Sequence, residues 1–416
     1  MVQTTRRHVM KMLGAGVAAS ALGAPMIARA QSAPYKLGFV SALSGPAEAL
    51  GAPMLMGAQF AVDEINAAGG INGRKVELLA RDTKAKPDAG AVAARELIGE
   101  GCNMLLGTVS SAVALAISGI LEQENAILIT AAAHSLKLTH EAFNRHYFRI
   151  TDNPYMRQRA QAKLMAELHP EVTAWGGLVP DHEYGRTTWE SFKHGLNSFY
   201  PEIAKKTPSI SDPILCQYGG SDFRNYIASA MRDPAVGFFN STYGGDAITL
   251  FKQAKPYGFF QRKAPIIDSA NEFIAARAMK AEMPDMWIGS HWYFGAFKGN
   301  AINDRLYDKY LKATGIKFPD GFVSEGHATV MAYAGALAKA GNGKTEDVIP
   351  ALEGLSFETA TGTRTIRAED HQAIKPVIMY RVRGASNDDG FEVVDYRVVD
   401  GAEVIEPAAP GKPVAW

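Results

Sequence analysis

Tyr35-Lys36-Leu37-Gly38-Phe39-Val40, followed by Ser41-Ala42-Leu43-Ser44-Gly45-Pro46, is the stretch on which the reading of the fold turns. Its first half is a short apolar strand, and its second half a loop of small and turn-forming residues. Beyond it Leu55, Ala58, Val62 and Ile65 recur at helical spacing as one buried stripe, and Gly69-Gly70 stops the helix. Val76, Leu78 and Ala80 then alternate towards Asp82, which reads as a second strand.

The same grammar continues outward from there. A helix is predicted over 91–99, a strand over 103–106, a helix over 112–123 and a strand over 126–130. The rhythm restarts after Thr151 with a strand at 175–179 and a helix whose stripe is Trp189, Phe192 and Leu196. Strands at 214–217, 236–239 and 265–267 follow, with helices at 224–231 and 247–253 between them. Strands alternating with helices predict an α/β fold of parallel sheets covered on both faces, and two similar halves predict two lobes. Ligands of such sheets bind beyond the carboxyl ends of the strands, here in the cleft between the lobes.

Helices at 304–312 and 323–340 and strands at 377–382 and 391–399 complete the chain. The lobes are predicted as 35–150 plus 288–372 and 151–287 plus 373–400, with crossovers near Thr151, Ile288 and His371. The Pro-rich tail within 401–416 is predicted to be peripheral.

Composition bounds the function. The chain has 416 residues, 43 Lys+Arg against 43 Asp+Glu, and 47% apolar residues, so it is an ordinary globular protein of two or three domains. Arg6, Arg7, Lys11 and Arg29 face no acid within the first thirty residues; without that segment the body carries 39 basic and 43 acidic residues, formally −4. A mildly acidic body without basic runs makes nucleic acid an unsuited partner.

The paired Arg6-Arg7, the Gly- and Ala-rich apolar run after them and Ala28-Arg29-Ala30 have the order of a secretory signal. They resemble a twin-arginine signal cleaved after Ala30, which implies a periplasmic protein with no direct membrane insertion after cleavage. Gly14-Ala15-Gly16 imitates a dinucleotide fingerprint, but no strand precedes it. Cys102 and Cys216 are predicted as buried, unpaired core residues, with a disulfide between them as the alternative.

No nucleophile elbow, zinc-protease helix or phosphate loop occurs, and the spacing of His140-Glu141 and His146 is wrong for one helical face. No enzyme, metal or cofactor is therefore expected. The loops after strands are the candidates instead. Ser110 or Ser111 would cap the helix after Gly107, where exposed N–H groups could hold a carboxylate. Ala131-Ala132-Ala133-His134-Ser135, after the next strand, brings one titratable side chain among residues small enough for a ligand to reach the backbone.

Leu43 to Pro46, Gly57-Ala58-Gln59, the run from Glu64 through Asn66-Ala67-Ala68-Gly69-Gly70-Ile71-Asn72-Gly73 to Arg74, and Asp82 together resemble the leucine/isoleucine/valine-binding family of periplasmic solute receptors. So do Gly107 with Ser110-Ser111, Tyr184-Gly185-Arg186, Gly219 to Phe223 and Tyr243 to Asp246. The resemblance implies a two-lobed type I periplasmic binding protein, with three crossovers, that serves the membrane permease of an ABC importer and has no catalytic role. It places the ligand carboxylate on Ser111 and the loop of Ala132 to His134, and puts Tyr184 and Tyr243 across the cleft. The acidic partner for an α-amino group falls among Asp268, Asn271 and Glu272, with Asp268 carried as the site residue.

His134 stands where leucine receptors carry a threonine, and Leu50 where they carry an aromatic residue. The leading reading is a receptor for a branched-chain or related apolar amino acid. An aromatic or other amine-free carboxylate is the alternative on the same fold, and a ligand-sensing regulatory protein is the alternative from another class.

Overall fold

Alternate residues of the first strand face opposite ways, and that division organises the first half of the molecule. The computed structural model describes residues 33–416 apart from Pro46 and Ala270, so the proposed export signal lies outside the described residues. Strands β1 (Tyr35–Ser41), β2 (Val76–Asp82), β3 (Met104–Gly107), β4 (Ile127–Thr130) and β5 (Tyr147–Arg149) form a parallel sheet in the order β2-β1-β3-β4-β5. Helices α1 (Glu48–Ala67), α2 (Pro87–Gly99) and α3 (Ser111–Ser118) connect them. Leu37, Phe39, Leu106 and Ile129 join one buried cluster, while Val40, Leu105 and Leu128 join another with Leu97, Val113 and Ile117 of α2 and α3. A sheet apolar on both faces is what strands covered by helices on each side require.

The chain leaves this sheet after Arg149 and enters α4 (Pro154–Leu168), which leads into a second sheet. Strands β6 (Ala174–Pro180), β7 (Ser209–Ile210), β8 (Ile214–Cys216), β9 (Gly237–Asn240), β10 (Ile266–Asp268) and β11 (Met286–Ser290) belong to it, with α5 (Glu183–Phe199), α6 (Arg224–Arg232), α7 (Gly245–Ala254), α8 (Phe259–Arg262) and α9 (Glu272–Met279) in the connections. Strand β11 extends through Ser290, so the return to the first half begins at His291. There α10 (Ala301–Thr314), α11 (Phe322–Ala340) and α12 (Thr345–Leu352) precede a small antiparallel sheet of β12 (Ser356–Thr359), β13 (Gly362–Ile366) and β14 (Ala373–Ile374). Finally β15 (Val377–Gly384) pairs antiparallel with β11, and β16 (Phe391–Val399) pairs antiparallel with β15.

Helix α11 lies against α1 because both carry glycine at the contact. A Cβ on Gly57 would stand 1.8 Å from the Val323 carbonyl oxygen, and one on Gly326 would stand 1.9 Å from that of Met54. Any side chain at either position would push the helices apart.

Two features differ from the sequence reading. Helix α4 has no amphipathic signature because it is buried nearly all round, with Arg157, Gln158 and Gln161 bonded inside the molecule. The first part of the tail is packed in, while residues 407–416 stay largely exposed: a short α13 (Gly401–Val404) packs under Lys375, and the buried Glu406 carboxylate accepts a hydrogen bond from Asn153 Nδ2 at 2.5 Å and meets His140 Nε2 at 3.4 Å. Burying a carboxylate is costly unless it is paired, so these partners hold the tail in place. Cys102 and Cys216 are both buried and free.

Candidate functional site

A cavity of about 290 Å³ is bounded by loops that follow the carboxyl ends of parallel strands from both large sheets. The first half contributes Ala47 and Leu50 after β1, Ala85 after β2, Val109 to Ala112 after β3, and Ala132 with His134 after β4. The second contributes His182, Glu183 and Tyr184 after β6, Tyr218 after β8 and Tyr243 after β9. His291, where the chain leaves β11, and Phe322 at the start of α11 complete it.

The two serines have different tasks. Ser110 caps α3, its side chain accepting from the Val113 N–H, while Ser111 turns to the neighbouring loop. Its Oγ accepts hydrogen bonds from the backbone N–H of His134 at 3.1 Å and of Ser135 at 3.0 Å. A hydroxyl oxygen accepts twice and donates once, so the remaining role for Ser111 is to donate. The turn that presents it is unusual, since Thr108 is held at φ +64°.

Across the cavity stands an aromatic wall. Tyr184 and Tyr243 meet edge to face at 5.5 Å between ring centres, and Tyr218 stacks on Tyr243 at 4.9 Å. Tyr184 OH lies 3.0 Å from Ser269 Oγ, and burial pushes its phenol up to about 12; Tyr243 OH lies 3.4 Å from His182 Nε2. These hydroxyls are neutral donors or acceptors at any physiological pH.

His134 and His291, which both line the cavity, meet Nε2 to Nε2 at 3.2 Å. Burial, reinforced by the charge of Arg157, lowers both imidazoles well below their ordinary range, so both are neutral. His291 Nδ1 is 2.6 Å from Glu272 Oε1. The Glu272 carboxyl also accepts from the backbone N–H of His291 and of Gly321, and burial, with Asp320 nearby, pushes it up to about 8.

Further back, the chain crossings are tied by ions. Arg157 grips Asp152 at 2.6 and 2.9 Å, Lys375 reaches Asp152 and Glu325 at 3.2 Å each, and Arg364 holds Glu325 at 2.6 and 2.8 Å. Burial alone would raise the Asp152 carboxyl, but Arg157 and Lys375 hold it well below the usual carboxylate range.

Six of the seven residues chosen from the sequence, Ser110, Ser111, Ala132, His134, Tyr184 and Tyr243, line this one cavity. Asp268 does not. Its Oδ2 accepts from Asn240 Nδ2 at 2.6 Å and Asn271 Nδ2 at 2.8 Å, and its Oδ1 from the Asn271 N–H at 2.8 Å, which ties the ends of β9 and β10 together. Asn271 and Glu272 are likewise committed within the protein, and Glu183 is the acidic residue among the described lining residues. Glu183 is itself engaged by Lys137 Nζ at 3.1 Å and Ser135 Oγ at 3.3 Å. The sequence reading missed His182 and Tyr218, although both follow a strand end, and it missed His291, whose place depends on a crossing.

The chain matches the family model described as Periplasmic binding protein over residues 34–389. It is 25% identical over 416 residues to the Leu/Ile/Val-binding protein homolog 4 of Brucella abortus, covering 95% of this chain and 96% of that one. The closed conformation of the leucine-, isoleucine-, valine-, threonine- and alanine-binding protein of Brucella ovis superposes with a TM-score of 0.78 at 21% identity, covering 91% of this chain and 100% of the other. An ABC transporter solute-binding protein from R. palustris in complex with benzoate gives a TM-score of 0.75 at 17% identity, covering 91% and 99%. Similar folds place two lobes around one cleft, as the two large sheets do here. The chain belongs to the periplasmic binding protein family.

Proposed function

We propose that this protein is the periplasmic receptor of an ABC importer and closes its lobes on a small carboxylate with an apolar body, a branched-chain or related apolar amino acid. The observation that carries the reading is Ser111, a hydroxyl left to donate beside the N-terminus of α3, in a cavity whose other walls include Leu50, Val109 and Phe322. The Leu/Ile/Val-binding relative that matches nearly end to end supports the amino-acid class. In this reading Glu183 takes the ammonium group, exchanging Lys137 for the ligand. The sequence before the described residues supports export through a twin-arginine signal cleaved after Ala30, which replacing Arg6 and Arg7 by Lys would block. The receptor hands its ligand to a membrane permease, and incubation with ligand produces no turnover.

A second reading has its own observation. Asp268 and Glu272 are consumed by protein partners, while His134, Tyr184 and Tyr243 offer neutral donors and aromatic surface. An unpaired ammonium is costly to bury, so this lining favours an amine-free or aromatic carboxylate, the class of the benzoate held by the R. palustris neighbour. Calorimetric titration of ligand-free protein with leucine, 4-methylpentanoate and benzoate separates the readings. Leucine binding that is lost in Glu183→Gln supports the first. Binding of the two acids without leucine overturns it in favour of the second.

A further inference from the structure

The histidine pair and Glu272 form a chain of contacts whose hydrogens can be counted. Glu272 Oε1 to His291 Nδ1 is one contact, at 2.6 Å, and His291 Nε2 to His134 Nε2 is the other, at 3.2 Å. Each needs one hydrogen between its heavy atoms. His134 lines the cavity and meets His291 through Nε2, which leaves its other ring nitrogen, Nδ1, as the one to face a ligand.

If the chain carries three transferable hydrogens, two fill the contacts and the third sits on Nδ1 of His134. That holds whichever heavy atom formally owns the hydrogen in each contact. If it carries two, both contacts remain filled and Nδ1 of His134 is bare. The protonation of a carboxyl buried behind His291 therefore decides whether a cavity-lining histidine is a donor or an acceptor.

We propose that Glu272, His291 and His134 make carboxylate binding in this cavity proton-linked: a proton taken from solvent onto the chain appears at His134 Nδ1 as a donor to the ligand carboxylate. When the chain gives that proton back to solvent, His134 presents a lone pair to the anion, and affinity falls. The inference rests on the reading of the cavity as a carboxylate site. It goes beyond that reading by assigning a ligand-positioning role to His291 and Glu272, the latter outside the cavity lining.

The surroundings favour the three-hydrogen state near neutral pH. The raised Glu272 carboxyl retains its proton there. Of the charged groups facing the chain, Arg157 draws the Glu272 carboxyl down but is outweighed by burial and Asp320, and each has a partner of its own. Arg157 and Lys375 are paired with Asp152, and Lys375 also with Glu325; Asp320 is paired with Arg277. Arg149 is spent on Gln372 and the Ser135 carbonyl, and Tyr184 and Tyr380 are neutral phenols.

Two measurements on the mature protein test this. In ligand-free protein with heavy nitrogen in its histidine rings, the Nδ1 resonance of His134 should change from protonated to bare as pH rises from about 6 to about 9. The change should vanish in Glu272→Leu or, should that variant not fold, in His291→Phe. Calorimetry with benzoate and with leucine, in two buffers of different ionisation enthalpy, should show uptake of up to about one proton per ligand on the alkaline side. Affinity there should fall by up to about tenfold per pH unit. A His134 Nδ1 that never changes state, or affinity flat with pH and no proton uptake, overturns the proposal. If neither probe binds at any pH, the carboxylate reading falls, and with it the linkage to ligand, even where the resonance changes.

Discussion

Two buried polar regions lie next to each other in this molecule and are built in opposite ways. At the crossings, Asp152, Arg157, Lys375, Glu325 and Arg364 form a closed set in which each charge meets one of opposite sign. Around the cavity, Ser111, His134, His182, Tyr184 and Tyr243 are neutral, and donor capacity remains after the protein's own bonds are counted. Charges paired in this way, three cations on two carboxylates, hold chain segments together. An incompletely matched set of neutral groups is what an exchangeable ligand can complete.

Breaking the matched set should give the largest effect. Asp152→Asn leaves Arg157 facing no full charge and Lys375 with only Glu325, and removing one partner of a buried pair costs about 3–5 kcal/mol. Urea unfolding should show that loss. Unchanged stability would mean that the crossings are held by packing alone.

The next effect belongs to the cavity. Ser111→Ala should weaken carboxylate binding by about 1.5–3 kcal/mol, roughly ten- to more than a hundredfold, as read by calorimetry. Because Ser111 also accepts from two backbone N–H groups, stability should fall as well, by about 1–3 kcal/mol for each that no water rescues. Unchanged affinity would reduce Ser111 to a brace for the His134 loop.

Opposite responses to pH sharpen the contrast. The Asp152 carboxyl is depressed in the folded state, so its contribution is complete above its unfolded value of about 3.9 and is lost as pH falls through the folded value. Glu272 is raised to about 8, so its contribution is complete below its unfolded value and is lost as pH rises towards 8. Acid should therefore loosen the crossings, and a rise from about pH 4 to 8 the histidine chain, with no further change above that range. Denaturant midpoints should lose their acid dependence partly in Asp152→Asn and their decline between about pH 4 and 8 partly in Glu272→Leu.

The smallest effect should come from Tyr243→Phe. The ring and its stacking on Tyr218 remain, and one hydroxyl is lost, for a cost of about 0.5–1.5 kcal/mol in affinity with the fold intact. A loss of a hundredfold or more would move Tyr243 from the wall to a principal ligand contact.

Legibility in the sequence followed the range of the interactions involved. The strand at Tyr35, the helix stripe ending at Gly69-Gly70 and the strand to Asp82 depend on local periodicity, and β1, α1 and β2 occur there. Ser111 and His134 were legible as residues of loops after strands, but which of Ser110 and Ser111 caps α3 was not, because both precede the first free N–H groups. No helix is predicted at α4 because its polar residues Arg157, Gln158 and Gln161 interrupt any apolar period, being buried against partners distant in sequence.

The sequence by itself determined the alternation of strand and helix, the parallel sheets that follow from it, and the loops able to carry a site, since these rest on hydrophobic period and turn chemistry within a few residues. Only the tertiary structure decided which polar groups are left for a ligand. Asp268 is turned to Asn240 and Asn271, Glu406 anchors the tail on Asn153, and His291 meets His134 across 157 residues of chain. Each outcome depends on which side chain arrives to satisfy a buried donor or acceptor, and that partner comes from elsewhere in the fold.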